Sequence, residues 1–329
     1  MNQIRNQSLN GQIAMQPKYN CVVLLGPTAV GKTAIAVKLA DRFGWDVISA
    51  DSRQVYRGLD IASGKDLTEY EVNGKKTPFH LIDVADLSDE YNLFSFQRDF
   101  FDVFNDLRRQ GRMPFVAGGT GMYLDCIVRN YELPCVPENP DLKTDLEKKS
   151  LKELSDLLIS MKPNLHNKTD LLSKERTIKA LQIELYKASP AGLEEQKRFL
   201  QREKIVPFVI GTTLDRGELY ENIEVRLKRR IEQGMIEEIE SLAKKYSWER
   251  IERLGLECRW IGLYLEDKIA SKEEMFVKLC TEIKRFAKRQ ETWFRGMEKK
   301  GVKIHWLPHT KSAQMRFLAA AELVEESVL

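Results

Sequence analysis

Short apolar runs alternate with helical hydrophobic patterns over residues 20–131. Runs with the length of buried strands lie at residues 21–25, 46–51 and 79–83, and another precedes the glycines at 118 and 119. Apolar residues recur at helical spacing after the first run and again from Leu93 to Gln110, where Gly111 is a typical helix end. Strands that alternate with helices predict an α/β fold with a parallel sheet.

The pattern changes at Glu132. Prolines at 134, 137 and 140 indicate a stiff connection, and residues 141–200 have the pattern of helices rich in Lys and Glu. An apolar run at 204–211 is expected to be the last strand of the sheet, and the remainder is expected to be helical. We therefore predict a flexible tail (1–19), a core (20–131 and 202–329) and an inserted all-helical subdomain (132–201).

The composition excludes several classes of protein. With 329 residues, of which 43% are hydrophobic, the chain can bury a large core, and its net charge of +3 shows no global excess that would indicate nucleic acid. The five cysteines include no C-x-x-C pair, which argues against a disulfide framework and a zinc site. Because no apolar run approaches the ~20 residues of a membrane span, we expect a cytoplasmic protein with no membrane partner.

The first apolar run leads into a glycine-containing motif typical of phosphate binding. GPTAVGKT lies between the predicted strand and the first helical pattern, which is the order that a phosphate loop requires. The glycines let backbone N–H groups face a phosphate, Lys32 adds a charge, and the Thr33 hydroxyl suits a bound Mg²⁺. We predict a P-loop NTPase-like parallel sheet core in which a di- or triphosphate is bound by Gly26, Pro27, Thr28, Ala29, Val30, Gly31, Lys32 and Thr33.

Polar residues that follow the other strands are further candidates. Asp51 ends the second predicted strand, and ligands bind at that edge of open α/β sheets, so it should lie near the phosphate loop. Its spacing is equally compatible with a catalytic carboxylate and with a helix cap or a group near magnesium. Asp83 ends the third run and is compatible with a Walker B acid. Glycines surround Thr120, whose hydroxyl is placed to act as a donor.

Basic residues concentrate in the helical segments. In the predicted insert, Lys168, Arg176, Lys179 and Lys187 form either a basic face or a solvated helix of mixed charge. In the segment 271–298, basic residues alternate with aromatic ones, a composition that suits RNA phosphates and bases. Phe286 and Trp293 are seven residues apart, so we expect the aromatic residues to be core and the basic ones to be the working surface.

Several runs coincide, in order, with the signature of a single family. They are GPTAVGKT from Gly26, SADSRQVYRGLDI from Ser49, HLID from His80, GGTGMYL from Gly118 and AKRQETWFR from Ala287. The chain therefore resembles the tRNA dimethylallyltransferases, also called tRNA isopentenyltransferases, from Cys21 to about Trp306. The absence of paired cysteines near the end fits the bacterial type.

The resemblance implies transfer of a dimethylallyl group from dimethylallyl diphosphate to N6 of an adenine next to the tRNA anticodon. Lys32, the loop amides and Mg²⁺ on Thr33 would stabilise the departing diphosphate, so that the phosphate loop needs no ATP. The family pattern places Thr28 near the bridging oxygen and Arg226 on the far side of the diphosphate. Asp51 would accept the proton of the attacking amine.

The resemblance also implies how tRNA is bound. The residues that the family pattern places around the target nucleotide are Ser52, Arg53, Gln54 and Thr120. In the insert, which grips the anticodon stem, Arg176 and Lys179 match the basic motif, while Arg285, Lys288 and Arg289 would hold phosphates. We expect the anticodon stem-loop and dimethylallyl diphosphate as partners, and a monomer.

Two segments depart from the family pattern, and three alternatives remain. DIASGKD (60–66) replaces the usual DIGTAKP, and GLECR (255–259) replaces a G-Y-[KR]-E run. These departures indicate a divergent paralogue. They affect the expected choice of substrate more than the expected chemistry. The alternatives are an adenylate dimethylallyltransferase acting on free AMP, ADP or ATP, a small-molecule kinase, and an RNA-binding protein without activity.

Overall fold

The computed structural model of the protein describes residues 18–72, 74–163 and 171–329. Nearly all of the predicted tail (1–19) lies outside these ranges, as does Lys168. The strands of the described residues are β1 (Cys21–Leu25), β2 (Val47–Ala50), β3 (Glu71–Val72), β4 (Lys75–Lys76), β5 (Phe79–His80), β6 (Phe115–Gly118), β7 (Pro207–Gly211) and β8 (Ile304–Trp306).

The helices of the same residues are α1 (Lys32–Phe43), α2 (Leu93–Arg109), α3 (Gly121–Val128), α4 (Pro140–Glu147), α5 (Leu151–Met161), α6 (Lys174–Lys187), α7 (Pro190–Gln201), α8 (Arg216–Glu232), α9 (Met235–Ala243), α10 (Trp248–Arg253), α11 (Leu256–Leu265), α12 (Lys272–Lys299) and α13 (Ala313–Ser327). A short 3₁₀ helix spans Leu67–Tyr70. None of these helices is both long and apolar enough to cross a membrane.

The main sheet has the order β5-β2-β6-β1-β7-β8, and every neighbouring pair is parallel. Side chains alternate between the faces of a strand, so Val23 and Leu25 of β1 pack against α2, α3 and α12. Val22 and Leu24 pack on the opposite face, against α1 and α13. Helices on both faces of a parallel sheet confirm the predicted P-loop type of α/β fold.

Two strand predictions were wrong. The run 204–211 is not the last strand, because β8 pairs with β7 at the sheet edge. Three residues are too few to show a strand periodicity, and β8 is identified only by its partner. The run 79–83 forms a strand over just two residues, since Leu81 (φ 61°) and Asp83 (φ 57°) take left-handed conformations that turn the chain away.

Four helices, α4 to α7, lie between α3 and β7. They have an apolar cluster separate from those of the sheet, formed by Leu146, Leu154, Leu158, Ile178 and Leu181. The two connections to the core are tied together, because the side-chain amide of Asn130 both donates to and accepts from the backbone of Ile205. The described part of this region thus packs as a helical unit with its own core.

A further apolar cluster covers the carboxyl edge of the sheet. Helices α8 to α12 pack there on the segment that follows β2, with Val55, Leu59, Leu227, Met235 and Ile261 among the buried residues. These helices enclose the ends of β1, β2 and β6. The residues singled out from the sequence therefore lie between the sheet edge and the later helices.

Candidate functional site

The phosphate loop occupies the turn between β1 and α1. Two positions, Ala29 (φ 60°) and Gly31 (φ 84°), are left-handed and turn the loop back on itself. Gly26 leaves no room for a side chain, because a Cβ there would lie 2.3 Å from the carbonyl oxygen of Thr212. No side chain caps the start of α1, and its first turn has no acidic residue. Its N–H groups are thus free to receive an anion.

Lys32 lies at the floor of this loop. Its Nζ donates a hydrogen bond to the Pro27 carbonyl at 2.6 Å. Burial lowers the pKa of Lys32 to about 7, with Arg226 adding to the shift and Asp51 opposing it. A bound anion would offset this cost of burying the ammonium group, so the site favours a negatively charged ligand.

Gln290 joins the phosphate loop to the glycine-rich turn after β6, and the sequence reasoning missed it. Its side chain accepts the N–H of Thr28 at 2.8 Å and donates to the Gly119 carbonyl at 2.7 Å. The residue is 6% exposed on α12. The sequence did contain a signal for this contact, namely a polar residue at a position of the long helix α12 whose spacing is that of core residues.

Arg316 of α13 supports the loop from behind and was also missed. It is 3% exposed, and its Nη1 donates to the Val30 carbonyl at 2.6 Å and to the Thr212 hydroxyl at 3.0 Å. Burial lowers its pKa from the usual value. Nothing in the sequence near residue 316 indicates this contact, because its partners lie far away along the chain.

Asp51 and Thr120 come together because β2 and β6 are neighbours. One carboxylate oxygen of Asp51 accepts the N–H of Arg53 at 2.9 Å, which fixes the orientation of the group. Thr120 stands at the N-cap of α3, yet its hydroxyl accepts the N–H of Ser52 at 3.0 Å instead of capping the helix. Gln54 donates to the Gly64 carbonyl at 3.1 Å and so fixes the next segment.

One cavity of about 410 Å³ collects most of the predicted residues. From the phosphate loop and α8 these are Thr28, Lys32, Thr33 and Arg226, and from the segments that follow β2 and β6 they are Asp51, Ser52, Arg53, Gln54 and Thr120. Arg289 also reaches the wall. Anion-binding groups and an oriented carboxylate therefore share one cavity.

The other predicted RNA-binding residues lie outside this cavity. Arg176 and Lys179 are exposed on α6, and Lys179 lines a groove of about 1200 Å³ between α6 and residues 133–140. Arg285 and Lys288 are exposed on α12, where Arg285 pairs with Glu282. These side chains can reach a large ligand but not a small one in the cavity.

The prediction that Phe286, Trp293 and Phe294 of α12 are core residues is wrong for the first two. Phe286 (37% exposed) and Trp293 (36%) line the cavity, whereas Phe294 is fully buried. A spacing of seven residues puts two side chains on one helix face, but it does not say whether that face meets the core or a cavity. A Cβ on Gly121 would lie 2.6 Å from Trp293, so glycine is required for this approach.

Arg226 lines the cavity beside a second arginine that the sequence reasoning did not single out. Arg230 is buried on the next turn of α8, and burial, with Arg226 adding to the effect, lowers its pKa to about 10. Both guanidinium groups pair with Asp66. Although burial opposes the effect, the two arginines hold the pKa of Asp66 below its usual value.

The Walker B interpretation of Asp83 was wrong. Its carboxylate lies 2.5 Å from Nζ of Lys65, and β5 is separated from β1 by two strands. Within the described ranges, no group of three or more His, Cys, Asp or Glu residues is arranged to hold a metal ion. The hydroxyl of Thr33 lies in the cavity wall, where an Mg²⁺ ion would need oxygen atoms of a bound phosphate as further ligands.

Comparisons with known proteins assign the chain to a family. Residues 54–297 match the family model described as IPP transferase, and residues 19–81 match the one described as Isopentenyl transferase. The chain is 48% identical over 296 residues to tRNA dimethylallyltransferase 2 of Treponema denticola, covering 90% of this chain and 98% of the relative.

Another relative is tRNA dimethylallyltransferase 2 of Trichlorobacter lovleyi, which is 46% identical over 89% of this chain and 94% of its own length. Among solved structures, the full-length tRNA isopentenylpyrophosphate transferase of Bacillus halodurans matches with a TM-score of 0.65 and 28% identity, covering 94% of this chain and 96% of that one. The likeness therefore extends over the sheet, the four-helix region and the helices that enclose the cavity.

Proposed function

Because the chain belongs to the tRNA dimethylallyltransferase family and is such a prenyltransferase, we propose that its donor is dimethylallyl diphosphate and its acceptor is N6 of the adenine next to the anticodon. The observation that carries the proposal is the shared cavity, which is lined both by the phosphate loop and by the oriented Asp51 carboxylate. Donor and acceptor can meet in this cavity.

The phosphate-loop side of the cavity binds the diphosphate. Lys32, Arg226 and the uncapped N–H groups of α1 face the region where negative charge develops as the allylic C–O bond breaks. The Thr33 hydroxyl, with diphosphate oxygen atoms, would hold Mg²⁺, which supplies further neutralisation of the leaving group. Thr28, which lines the same cavity, would lie near the bridging oxygen of the diphosphate.

The part of the cavity near Asp51 binds the acceptor. The adenine amine is a weak nucleophile because its lone pair is delocalised into the ring, so a carboxylate that takes its proton accelerates attack. Asp51 is that base, and the Thr120 hydroxyl and the Arg53 side chain surround the nucleotide. Trp293 and Phe286 offer stacking surfaces for an extruded base, a role that their exposure makes available.

The remaining predicted residues would bind the rest of the tRNA. Arg285, Lys288 and Arg289 lie on the exposed part of α12 next to the cavity, and Arg176 and Lys179 lie on α6. Basic side chains at these places suit phosphates of the anticodon stem. We propose that residues 132–201 are the tRNA-binding subdomain and that the enzyme is a cytoplasmic monomer.

The acceptor is tested by supplying labelled dimethylallyl diphosphate and Mg²⁺ with unmodified tRNA, AMP or ATP. We expect label on tRNA alone, because the stacking surfaces and exposed basic residues exceed what a free nucleotide needs. Transfer to AMP or ATP instead would favour the adenylate enzyme. Release of phosphate from ATP without transfer would favour the kinase.

The basic surface is tested by the salt dependence of tRNA binding. Arg289→Gln should weaken binding and reduce the slope of log affinity against log salt by about 1, since one phosphate contact is lost. Arg109→Gln is the control, because Arg109 is an exposed arginine at the amino edge of the sheet, far from the cavity. A slope unchanged in Arg289→Gln, or reduced equally in the control, would argue against this surface.

A further inference from the structure

Asp66 occupies a backbone conformation that excludes the proline usual at this place in the family. Its φ is 42°, whereas the ring of proline fixes φ near −65°. Asp66 precedes the 3₁₀ helix Leu67–Tyr70, and its carbonyl accepts the N–H of Glu69 at 2.8 Å. The departure at this position therefore changes the course of the chain as well as a side chain.

The Asp66 carboxylate joins two arginines through one oxygen atom. Its Oδ2 accepts from Nη2 of Arg226 at 3.0 Å and from Nη2 of Arg230 at 3.2 Å. Within the described residues these are the only ion pairs of either arginine, and the Arg230 side chain is 8% exposed. The two guanidinium groups repel each other, and the carboxylate oxygen that they share offsets this repulsion.

The segment that carries Asp66 is held in place by other contacts. Both carboxylate oxygens of Glu238 accept backbone N–H groups, those of residues 60, 61 and 62, at 2.7 to 2.9 Å. Lys65 is buried and donates to Asp60, Asp83 and the Tyr56 carbonyl. Asp66 thus projects from a fixed segment, and the arginines adapt to its position.

The position of the arginines matters because Arg226 faces the phosphate loop. Asp66 and Arg226 share a cavity of about 240 Å³ with Lys32 and Thr33. Both guanidinium groups pack against Gly64, where a Cβ would lie 1.7 Å from Nη2 of Arg230 and 2.7 Å from Nη2 of Arg226. If the carboxylate were removed, Arg230 would have little room to move, because its side chain is only 8% exposed. Arg226 is the more exposed of the two and would move toward solvent.

We propose that Asp66 is a positioning residue that holds Arg226 beside Arg230 and aims it at the diphosphate. This inference rests on the proposed function, because it assigns a role to Asp66 in binding the donor and the diphosphate product. The positioning role explains why the acidic Asp66 lies between Arg226 and Arg230, although the site must attract a negatively charged diphosphate. The Asp66 carboxylate offsets part of the charge of the two guanidinium groups, beside which Glu257 is the other nearby acid, and leaves Arg226 directed into the site.

The test is calorimetric binding of inorganic diphosphate with Mg²⁺, which needs no turnover. Asp66→Asn should weaken binding about tenfold, a loss within the range of coupled charged neighbours. It should raise KM for dimethylallyl diphosphate by the same factor and leave KM for tRNA unchanged. It should also lower kcat, because Arg226 faces the charge that develops as the C–O bond breaks. Asp60→Asn is the matched control, since that exposed carboxylate lies in the same segment and contacts Lys65 but neither arginine. It should bind as the wild type does.

A double-mutant cycle separates positioning from general support. If Asp66 acts through Arg226, then Asp66→Asn adds little to the loss already caused by Arg226→Gln. Additive losses, unchanged binding, or tighter binding in Asp66→Asn would overturn the inference; the last would mean that the carboxylate competes with diphosphate. Failure of the wild type to bind diphosphate would overturn the proposed function and this role together. Circular dichroism of each variant checks that it is folded. Asp66→Ser, which also lacks the carboxylate, should show the same loss of diphosphate binding as Asp66→Asn.

Discussion

Asp51→Asn is expected to reduce the rate of dimethylallyl transfer by about 10²–10⁴-fold, the usual cost of losing a general base. The amide keeps the size of the side chain and can still accept the N–H of Arg53, so the cavity should keep its shape. The measurement is single-turnover transfer to tRNA with both substrates saturating. Binding of each substrate should change little.

Asp83→Asn is the control for this experiment. Both acids follow strands of the same sheet, but Asp83 pairs with Lys65 and Asp51 faces the cavity. The rate in Asp83→Asn should equal that of the wild type at a temperature where the variant is folded. If Asp51→Asn weakened tRNA binding and left the single-turnover rate intact, Asp51 would position the amine without taking its proton.

Lys32→Ala is expected to abolish measurable diphosphate binding and to lower transfer by about 10²–10³-fold, the cost of losing one preorganised donor to developing charge. The substitution removes a cation that burial has already made costly, so the empty protein should not be less stable for losing the charge itself. The affinity for tRNA should stay close to that of the wild type. Calorimetry with diphosphate and a filter-binding assay with tRNA measure the two effects separately.

Lys38→Ala is the matched control for Lys32, because Lys38 lies on the same helix but contacts Gln314 at the surface. It should retain diphosphate binding. Lys32→Gln tests whether the hydrogen bond to the Pro27 carbonyl or the charge is needed, since glutamine can supply only the former. Equal loss of diphosphate and tRNA affinity in Lys32→Ala would contradict separate binding regions for the two substrates.

The residues that could be recognised from sequence share one property: their function depends on neighbours along the chain. The phosphate loop needs a strand, a turn with left-handed positions and a helix start, and all of these lie within residues 21–43. Asp51 follows β2 directly and Thr120 lies two residues after the end of β6, and parallel strands bring such positions to one edge. Local order along the sequence was therefore enough to place them together, while their catalytic roles remain predictions.

The residues that were missed depend on contacts between distant parts of the chain. Gln290 lies 262 positions from Thr28, and Arg316 lies 286 positions from Val30. The strand β8 is defined only by its pairing with β7. No local pattern distinguishes such a side chain from any other polar residue of a helix or loop.

The sequence by itself determined the fold type, the phosphate loop and the family, because periodicity and short motifs are written in consecutive residues. Only the tertiary structure decided which face of α12 meets the core and which meets the cavity, and so turned Phe286 and Trp293 from expected core residues into its wall. It also decided that Asp66 lies between two arginines of α8. Both outcomes depend on how helices far apart in sequence pack over the sheet edge, which hydrophobic spacing does not specify.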